Sequence, residues 1–422
     1  MSTAHWNVLL YAIAGKPEEH ARITAAITEM HRALTRPDVA IAVQVHAPAQ
    51  TTRYWLSAGQ AVKSEHLPQV ADASKQATLT GFLDAANQAC PAAASLLVLW
   101  AHGVGLDGLH DAPAHAADDH PAGPKLGPST PSAPGLATGG SRRQAALIAH
   151  SAVLGYDVLK AGAPIGLPPA KRSERYGCRW GPDPNSGEFL TNVSMKQAIA
   201  ASARGKVDVL ALNACWMGAL EVLYELRNIA AFELACQVYA RPWSYGAIIA
   251  ALVAAPTQSA EQLARHLVAI VHDEIKDGKR DDALAAVHAG PALDALATAL
   301  DAYVRRVLAL IESDWPAVEK AVLVDAQRID DPYQVDLRSL VSVLGKHDPE
   351  THAAAKAVLA QIDATVIANT ADPKAHPDVH GLSIFCPKNT HVDLIDAYQG
   401  TDFRTHLWVK FLSKFQRRAG SS

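Results

Sequence analysis

Residues 96–103 read LLVLWAHG and residues 207–217 read VDVLALNACWM, and these two apolar runs decide the fold. Neither run alternates between apolar and polar residues, which is typical of strands that are covered on both faces in a parallel sheet. In open sheets of this kind, functional groups gather beyond the carboxyl ends of the strands. The two runs lead to His102 and Cys215. The sequence therefore predicts an imidazole and a thiol at one edge of the sheet, an arrangement suited to a cysteine nucleophile with a histidine base.

Further runs of strand character alternate with segments of helical periodicity, and this alternation predicts a doubly wound α/β sandwich. The additional strands are expected at 6–13, 39–46, 233–238 and 381–386, and the helices at about 17–35, 78–89, 194–204 and 217–229. Residues 53–63 predict a hairpin. The stretch from about 257 to 371, rich in Ala and Leu, predicts almost entirely helix, after which the chain is expected to return to the sheet.

The length of 422 residues is enough for two or three domains, or for one large elaborated domain. We expect a catalytic core over 1–255, a helical subdomain over 256–375, and a last strand and C-terminal helix over 376–422. Within the core, residues 111–141 contain six prolines and almost no large apolar residue. Such a segment cannot bury enough surface to offset its ordering entropy, so it is predicted to be a mobile loop. A basic linker or activation region is expected to follow it over 142–180.

The composition argues against several classes of partner. A net charge of −4 without a dominant basic face does not favour nucleic acid. The N-terminal sequence lacks the features of a secretory signal, and no apolar run is long enough to span a bilayer, so we expect a cytoplasmic protein with no membrane contact. The five cysteines are odd in number and scattered, which favours a reducing compartment. The histidines and aspartates of 110–120 lie in low-complexity sequence, so no metal site is expected.

Three stretches resemble signature segments of the clostripain family, caspase-fold cysteine peptidases of bacteria: LLVLWAHGVG, VDVLALNACWMGALEVLYELRNIAAFELA and HGLSIFCP. The similarity extends over 5–255 and returns at 380–387. It implies a caspase-like three-layer sandwich with a mostly parallel six-stranded sheet, plus a helical C-terminal subdomain. It also implies a catalytic dyad of His102 and Cys215, with the backbone N–H groups of Gly103 and Cys215 as the oxyanion hole. The expected substrates are proteins or peptides, no cofactor is required, and the family analogy leaves calcium dependence open.

One residue departs from the pattern of the family. Relatives usually read Asp-Ala-Cys, and the aspartate lies in the pocket that receives arginine or lysine before the scissile bond, whereas this chain has Asn213-Ala214-Cys215. An amide accepts a hydrogen bond from a guanidinium but supplies no charge, so we expect cleavage after arginine in preference to lysine. Trp243 is expected to be either a stacking wall of this pocket or an ordinary core residue.

The position of the proline-rich segment, shortly after His102, predicts a zymogen. A mobile and cleavable segment beside an active site is where an upstream protease would act. By analogy with bacterial caspase-like proteases, the protein is expected to serve in defence or regulated cell death. The candidate processing sites are basic residues between the His102 and Cys215 strands: Lys125, Arg142, Arg143, Lys171, Arg172 and Arg175.

Two other functions are weighed against the peptidase. The first is a non-catalytic interaction module with a caspase fold, which the presence of both His102 and Cys215 disfavours. The second is a Rossmann-type nucleotide-binding enzyme, because residues 103–108, GVGLDG, match the GxGxxG pattern. That match follows the third strand and leads into the proline-rich segment in place of a helix, so it is weak.

Glu221 and Glu225 are expected to have a structural role.

Overall fold

The computed structural model describes residues 4–103, 179–329, 334–387, 398 and 400–419. Its strands are β1 (Ala4–Ile13), β2 (Val39–Ala47), β3 (Gln50–Leu56), β4 (Lys63–His66), β5 (Ala92–Trp100), β6 (Arg179–Pro182), β7 (Phe189–Thr191), β8 (Val207–Asn213), β9 (Ala230–Ala235), β10 (Ala283–His288), β11 (Gln334–Asp336), β12 (Val366–Ala371) and β13 (Ser383–Phe385). Its α-helices are α1 (Pro17–Ala33), α2 (Gln76–Ala89), α3 (Asn192–Ala201), α4 (Leu220–Leu226), α5 (Tyr245–Ala254), α6 (Ala260–Lys276), α7 (Pro291–Ser313), α8 (Trp315–Lys320), α9 (Leu337–Leu344), α10 (Pro349–Thr365) and α11 (Leu407–Ala419). A π-helical turn lies at Ala321–Asp325 and a 3-10 helix at Asp402–Thr405.

The two apolar runs form neighbouring strands at the centre of a nine-stranded sheet with the order β12-β10-β9-β8-β5-β1-β2-β3-β4. The five strands β2, β1, β5, β8 and β9 are parallel to one another. The strands at both ends are antiparallel to their neighbours, so the whole sheet is mixed. The predicted α/β sandwich is confirmed, but its sheet is larger than the six strands expected.

Each central strand buries alternate side chains in two different cores. Leu97 and Leu99 of β5 pack into the cluster that includes α2, α3 and α7. Leu96 and Val98, on the opposite face, pack into the cluster that includes α1, α5 and α6. Because both faces are covered, both sets of positions are apolar, which explains the uninterrupted hydrophobic runs and gives the molecule its three layers.

The last predicted strand does not join the central sheet. Residues 383–385 pair with β11 in a separate two-stranded sheet, and an isolated bridge connects Ser383 to Ala219. The place beyond β9 is taken by β10 and β12, which come from the stretch predicted to be almost entirely helical. The sequence of β10, ALAAVH, is rich in Ala, whose intrinsic preference is for helix. Burial between two strands overrides that preference.

The smaller elements agree with the sequence in part. The hairpin expected over 53–63 exists as β3 and β4, which pair antiparallel. The helix expected at 217–229 is shorter and begins only at Leu220. The predicted mobile loop 111–141 lies outside the described residues, and the domain boundaries at 255 and 375 stay predictions. No helix in the described ranges is long and apolar enough to cross a membrane.

Glu233, in the middle of β9, is a buried carboxyl group in an apolar setting. It pairs in register with Leu210 and Val287, and neither carboxyl oxygen has a hydrogen-bond partner among the described residues. Burial raises the pKa of Glu233 well above its usual value, an effect that the positive charge of Arg227 only partly offsets. Burial therefore favours the protonated form of this carboxyl group in the folded protein.

We predict that Glu233→Gln stabilises the protein increasingly as the pH rises. A group whose pKa is raised by folding contributes stability that is fully present below the unfolded pKa and is lost as the pH rises toward the folded pKa. Glutamine carries no proton to lose, so the free energies of unfolding of variant and wild type should diverge by about 1.4 kcal/mol per pH unit between the unfolded and the folded pKa of Glu233. Urea unfolding at several pH values from 5 to 8 measures this, with Glu29→Gln on the exposed side of α1 as the control. Parallel curves for Glu233→Gln and wild type would contradict the prediction.

Candidate active site

The parallel pairing of β5 and β8 brings His102 and Cys215 to the same edge of the sheet. The last pair in the ladder is Trp100 with Asn213, and each chain then continues by two residues. Gly103 lies directly against the nucleophile candidate, because a Cβ atom at Gly103 would stand 2.3 Å from the carbonyl oxygen of Cys215. Only glycine permits so close an approach of two backbones. Three residues that the sequence singled out are thus neighbours: His102, Gly103 and Cys215.

The thiol of Cys215 faces backbone N–H groups. The N–H of Ala240 donates to Sγ over 3.4 Å, and the N–H groups of Gly103 and of Cys215 itself also point to the sulfur. Ala240 belongs to the segment 236–244 that follows β9. The sequence did not indicate this segment as part of the site, since a backbone donor leaves no signature in the side chains.

Burial dominates the chemistry of this thiol. Only 6% of Cys215 is exposed, and burial raises the pKa of its thiol to about 11. The three N–H groups lower the pKa, whereas the carboxylate of Asp282 raises it further. The helix that follows Cys215, α4, begins only at Leu220, with Ala219 as its N-cap. At neutral pH the thiol described here carries its proton.

The turn after Cys215 is strained and is clamped by tertiary contacts. Trp216 has a φ of +57°, in the left-handed region that bulky residues rarely adopt. Its N–H donates to the carbonyl of Val238 over 3.1 Å, and its ring lies 4.8 Å from that of Tyr239. The N–H of Gly218 donates to the carbonyl of Cys236 over 2.8 Å. Strain of this kind persists only where surrounding structure enforces it, and here the segment 236–239 does so.

His102 is held by a carboxylate from another strand–helix unit. Its Nε2 lies 2.9 Å from Oε1 of Glu19, in the first turn of α1, and the other oxygen of Glu19 accepts the N–H of Lys16 over 3.0 Å. Burial alone would raise the pKa of Glu19, but the hydrogen bond and charge of His102, together with Lys16, lower it below its usual value. Glu19 is therefore ionised. No sequence pattern indicated this residue, although acidic residues follow the carboxyl end of β1 at the same sheet edge.

Asn213 and Trp243 are both buried. The amide nitrogen of Asn213 donates to the carbonyl of Arg241 over 3.1 Å, and its amide oxygen accepts the hydroxyl of Tyr245 over 3.1 Å. Trp243 packs in the apolar core between the sheet and α5.

A buried guanidinium fixes the segment that faces the thiol. Arg280 donates to the carbonyls of Arg241 and Pro242 over 3.2 and 2.9 Å, and it pairs with Asp282 and Glu274. Asp282 also accepts a hydrogen bond from the backbone N–H of Arg241 over 2.9 Å. Because buried charges must be paired, this cluster has little freedom to move, and it holds Ala240 against Cys215.

The third signature stretch, HGLSIFCP, contacts α4, the helix that follows Cys215. One carboxyl oxygen of Glu221 accepts the N–H of Phe385 over 3.0 Å and the hydroxyl of Tyr398 over 2.7 Å. Burial raises the pKa of Glu221 to about 7. Glu225 accepts the N–H of Asp402 over 2.6 Å. These contacts join α4 to the C-terminal part of the chain, the structural role expected for both glutamates.

Two sets of predicted features remain to be placed. The candidate processing residues lie outside the described residues. Within the part of the chain that the structure describes, no group of three or more His, Cys, Asp or Glu side chains could hold a metal ion.

The fold and the site define a caspase-like α/β sandwich of the clostripain type. The sequence model of the clostripain family matches residues 170–416, more than half of the chain, and the chain belongs to this family. Among curated proteins, no sequence matches it.

Three solved structures of bacterial proteases have the same fold. An inactive zymogen C11 protease from Parabacteroides distasonis has a TM-score of 0.61 at 15% identity, over 96% of this chain and 98% of that one. Iotapain, a secreted C11 cysteine protease from Bacteroides thetaiotaomicron, has a TM-score of 0.63 at 13% identity, over 96% of this chain and 99% of that one. A secreted C11 cysteine protease from the same organism, in complex with an irreversible peptide inhibitor, has a TM-score of 0.61 at 14% identity, over 95% and 98% of the two chains. At such identities the similarity establishes the fold.

Proposed function

We propose that this protein is a cysteine endopeptidase in which Cys215 is the nucleophile and His102 the general acid and base. The observation that carries the proposal is the β5–β8 register, which leads both residues to one sheet edge with Gly103 packed against Cys215. Membership of the clostripain family supports the reaction class. Solved proteins of the same fold are described as cysteine proteases, one of them with a bound peptide inhibitor.

The proposed reaction follows from the groups at this edge. The sulfur of Cys215 attacks the scissile carbonyl carbon, and the N–H groups of Gly103 and Cys215 stabilise the oxyanion, contributing roughly 3–4 kcal/mol each. The thiol proton passes to His102, which protonates the leaving amine as the C–N bond breaks. Water then attacks the thioester and gives up a proton to His102. The C–S bond breaks, the carboxylic acid leaves, and the proton returns from His102 to the sulfur to restore the thiol.

We propose further that the described conformation is latent. The thiol is buried and protonated, which suits an enzyme kept inactive until it is needed. A solved protein of this fold is described as an inactive zymogen. Activation would follow cleavage by an upstream protease among the basic residues between β5 and β6, and the proposed setting is a bacterial defence or cell-death response in the cytoplasm. The solved iotapain, by contrast, is described as secreted.

The proposed substrate preference is for arginine before the scissile bond. Asn213 supplies no charge, and its amide oxygen already accepts the hydroxyl of Tyr245, which leaves one lone pair for a substrate guanidinium. A planar guanidinium can donate to that oxygen while stacking on an aromatic ring. A lysine ammonium would lose its counter-charge and gain little in exchange.

We predict that Cys215→Ala lowers peptide hydrolysis by at least about a thousandfold without changing the melting temperature, because it removes the nucleophile and little packing. His102→Ala should have nearly the same effect. Cys90→Ala is the matched control, since that thiol is also buried, with a pKa raised by burial to about 11, but lies near Ile41. If Cys215→Ala kept a tenth of the activity, Cys236 would be the next candidate.

Labelling of Cys215 by a thiol-reactive peptide probe separates the peptidase from a non-catalytic module.

We predict that limited trypsin treatment cuts between about Lys125 and Arg175 and raises activity, with the fragments still associated through the shared sheet. Cleavage would free the sheet edge to rearrange and expose the thiol. Gel analysis and a peptide assay on the same samples measure both effects. Full activity in uncut protein, unchanged in an Arg142→Ala, Arg143→Ala double variant, would defeat the proposed latency.

We predict that a peptide library is cleaved after arginine about tenfold faster than after lysine, the effect of roughly 1.4 kcal/mol. Asn213→Asp should raise the rate for lysine substrates by restoring a counter-charge. Its melting temperature must be measured in parallel, because an aspartate oxygen would face the carbonyl of Arg241. A profile dominated by acidic or large apolar residues at this position would refute the preference and leave the dyad untouched.

A further inference from the structure

We propose that Glu19 is a positioning residue that holds the imidazole of His102 in the tautomer which leaves Nδ1 for proton transfer. The inference rests on the proposed peptidase function and deepens it, since it adds a third residue that positions the histidine of the expected dyad. Nothing in the family comparison or in the sequence patterns assigns a role to Glu19.

The geometry gives Glu19 a fixed position. Glu19 is only 5% exposed, and its carboxylate uses both oxygens, one for His102 at 2.9 Å and one for the N–H of Lys16 at 3.0 Å. Pro17, at the first position of α1, has a φ suited to the start of a helix. The helix packs against α5 and the core beside β1, so the carboxylate is anchored to rigid structure and not to a loop.

The chemistry of the pair decides the tautomer. An ionised carboxylate can only accept hydrogen bonds, so Nε2 of His102 must carry the proton that lies between them. The neutral imidazole then has its lone pair on Nδ1, which is the nitrogen able to take the proton of a thiol. When Nδ1 becomes protonated, the adjacent carboxylate stabilises the imidazolium.

This stabilisation matters because the thiol of Cys215 is buried. A thiol whose pKa is raised to about 11 does not ionise by itself at neutral pH. Its proton must therefore pass to a base whose protonated, cationic form is stabilised. Glu19 is the buried carboxylate in contact with that partner. Its removal should therefore slow the chemical step more than it weakens substrate binding.

Glu19 also caps α1, and the two roles can be separated. Glutamine is accepted at this helix position as readily as glutamate, so Glu19→Gln keeps the bond from Lys16 and the shape of the side chain. Its amide, however, has lost the charge and can present N–H donors to Nε2. A protonated Nε2 is then no longer favoured, and the proton of the neutral ring is expected to move to Nδ1.

The first experiment compares kcat and KM for Glu19→Gln, Glu19→Asp and wild type, after trypsin activation if that is required. We expect Glu19→Gln to lower kcat by about a hundredfold or more, within the usual range for general acid–base catalysis, with KM changed less than about threefold and an unchanged melting temperature. Glu19→Asp keeps the charge at a shorter reach and should restore part of kcat. The matched control is Glu18→Gln, the exposed neighbour in the same helical turn, which should behave as wild type.

The second experiment does not depend on catalysis. Nitrogen-15 NMR of histidine-labelled protein, with the His102 signals assigned through His102→Ala, reports which ring nitrogen carries the proton of the neutral imidazole. Wild type should show a protonated Nε2, and Glu19→Gln a shift toward protonated Nδ1. A protonated Nδ1 in wild type, or an unchanged kcat in Glu19→Gln, would overturn the proposal. If wild type hydrolyses no peptide, the proposed function fails, while the tautomer still decides the role of Glu19.

Discussion

The close contact between the backbones of Gly103 and Cys215 is the constraint on which the site depends. It is possible only because β5 and β8 are adjacent and parallel, in a register that ends both strands at the same level. The contact points N–H groups from both residues toward the sulfur, so the positions of the donors are set by the sheet and not by flexible side chains. Any substitution at Gly103 would push the two strand ends apart and disturb the thiol and the donors together.

A second constraint acts from the other side of the thiol. The segment 236–244 brings the N–H of Ala240 to the sulfur and clamps the strained turn at Trp216. The segment is fixed in turn by Arg280, whose paired charges are buried behind it. Breaking one partner of such a cluster leaves an uncompensated buried charge, which costs several kcal/mol. The thiol is therefore enclosed by two walls, one made by the sheet and one by a charge-stabilised segment.

The sequence predicts the part of this arrangement that depends on local patterns. The unbroken apolar runs identify β5 and β8, and their ends locate His102 and Cys215, because strand direction and side-chain burial are both visible in the residues. Glu19 could not be assigned to His102, since that requires knowing that β1 lies beside β5. The Ala-rich β10 was mistaken for helix because burial between two strands, which overrides its propensity, is a tertiary effect. Ala240 acts through its backbone, which every residue possesses.

Burial of the Cys215 thiol raises the free energy of its ionisation and so opposes its proposed reactivity. The size of this free-energy cost limits the ways in which the site can work. Ionising a thiol with a pKa of about 11 at pH 7 costs on the order of 5 kcal/mol. The three backbone N–H groups already lower this pKa, and it still lies near 11, so backbone donors alone do not make a thiolate here. Two routes would reduce the cost: a movement of the segment 236–244 that admits water, or transfer of the proton to His102 as the sulfur attacks. The first route is suited to control, because it requires the buried charges behind Ala240 to rearrange. The second is suited to turnover, because Glu19 already contacts the imidazole proposed to receive the proton. An enzyme that uses both would be inert until the segment moves and fast once it has moved.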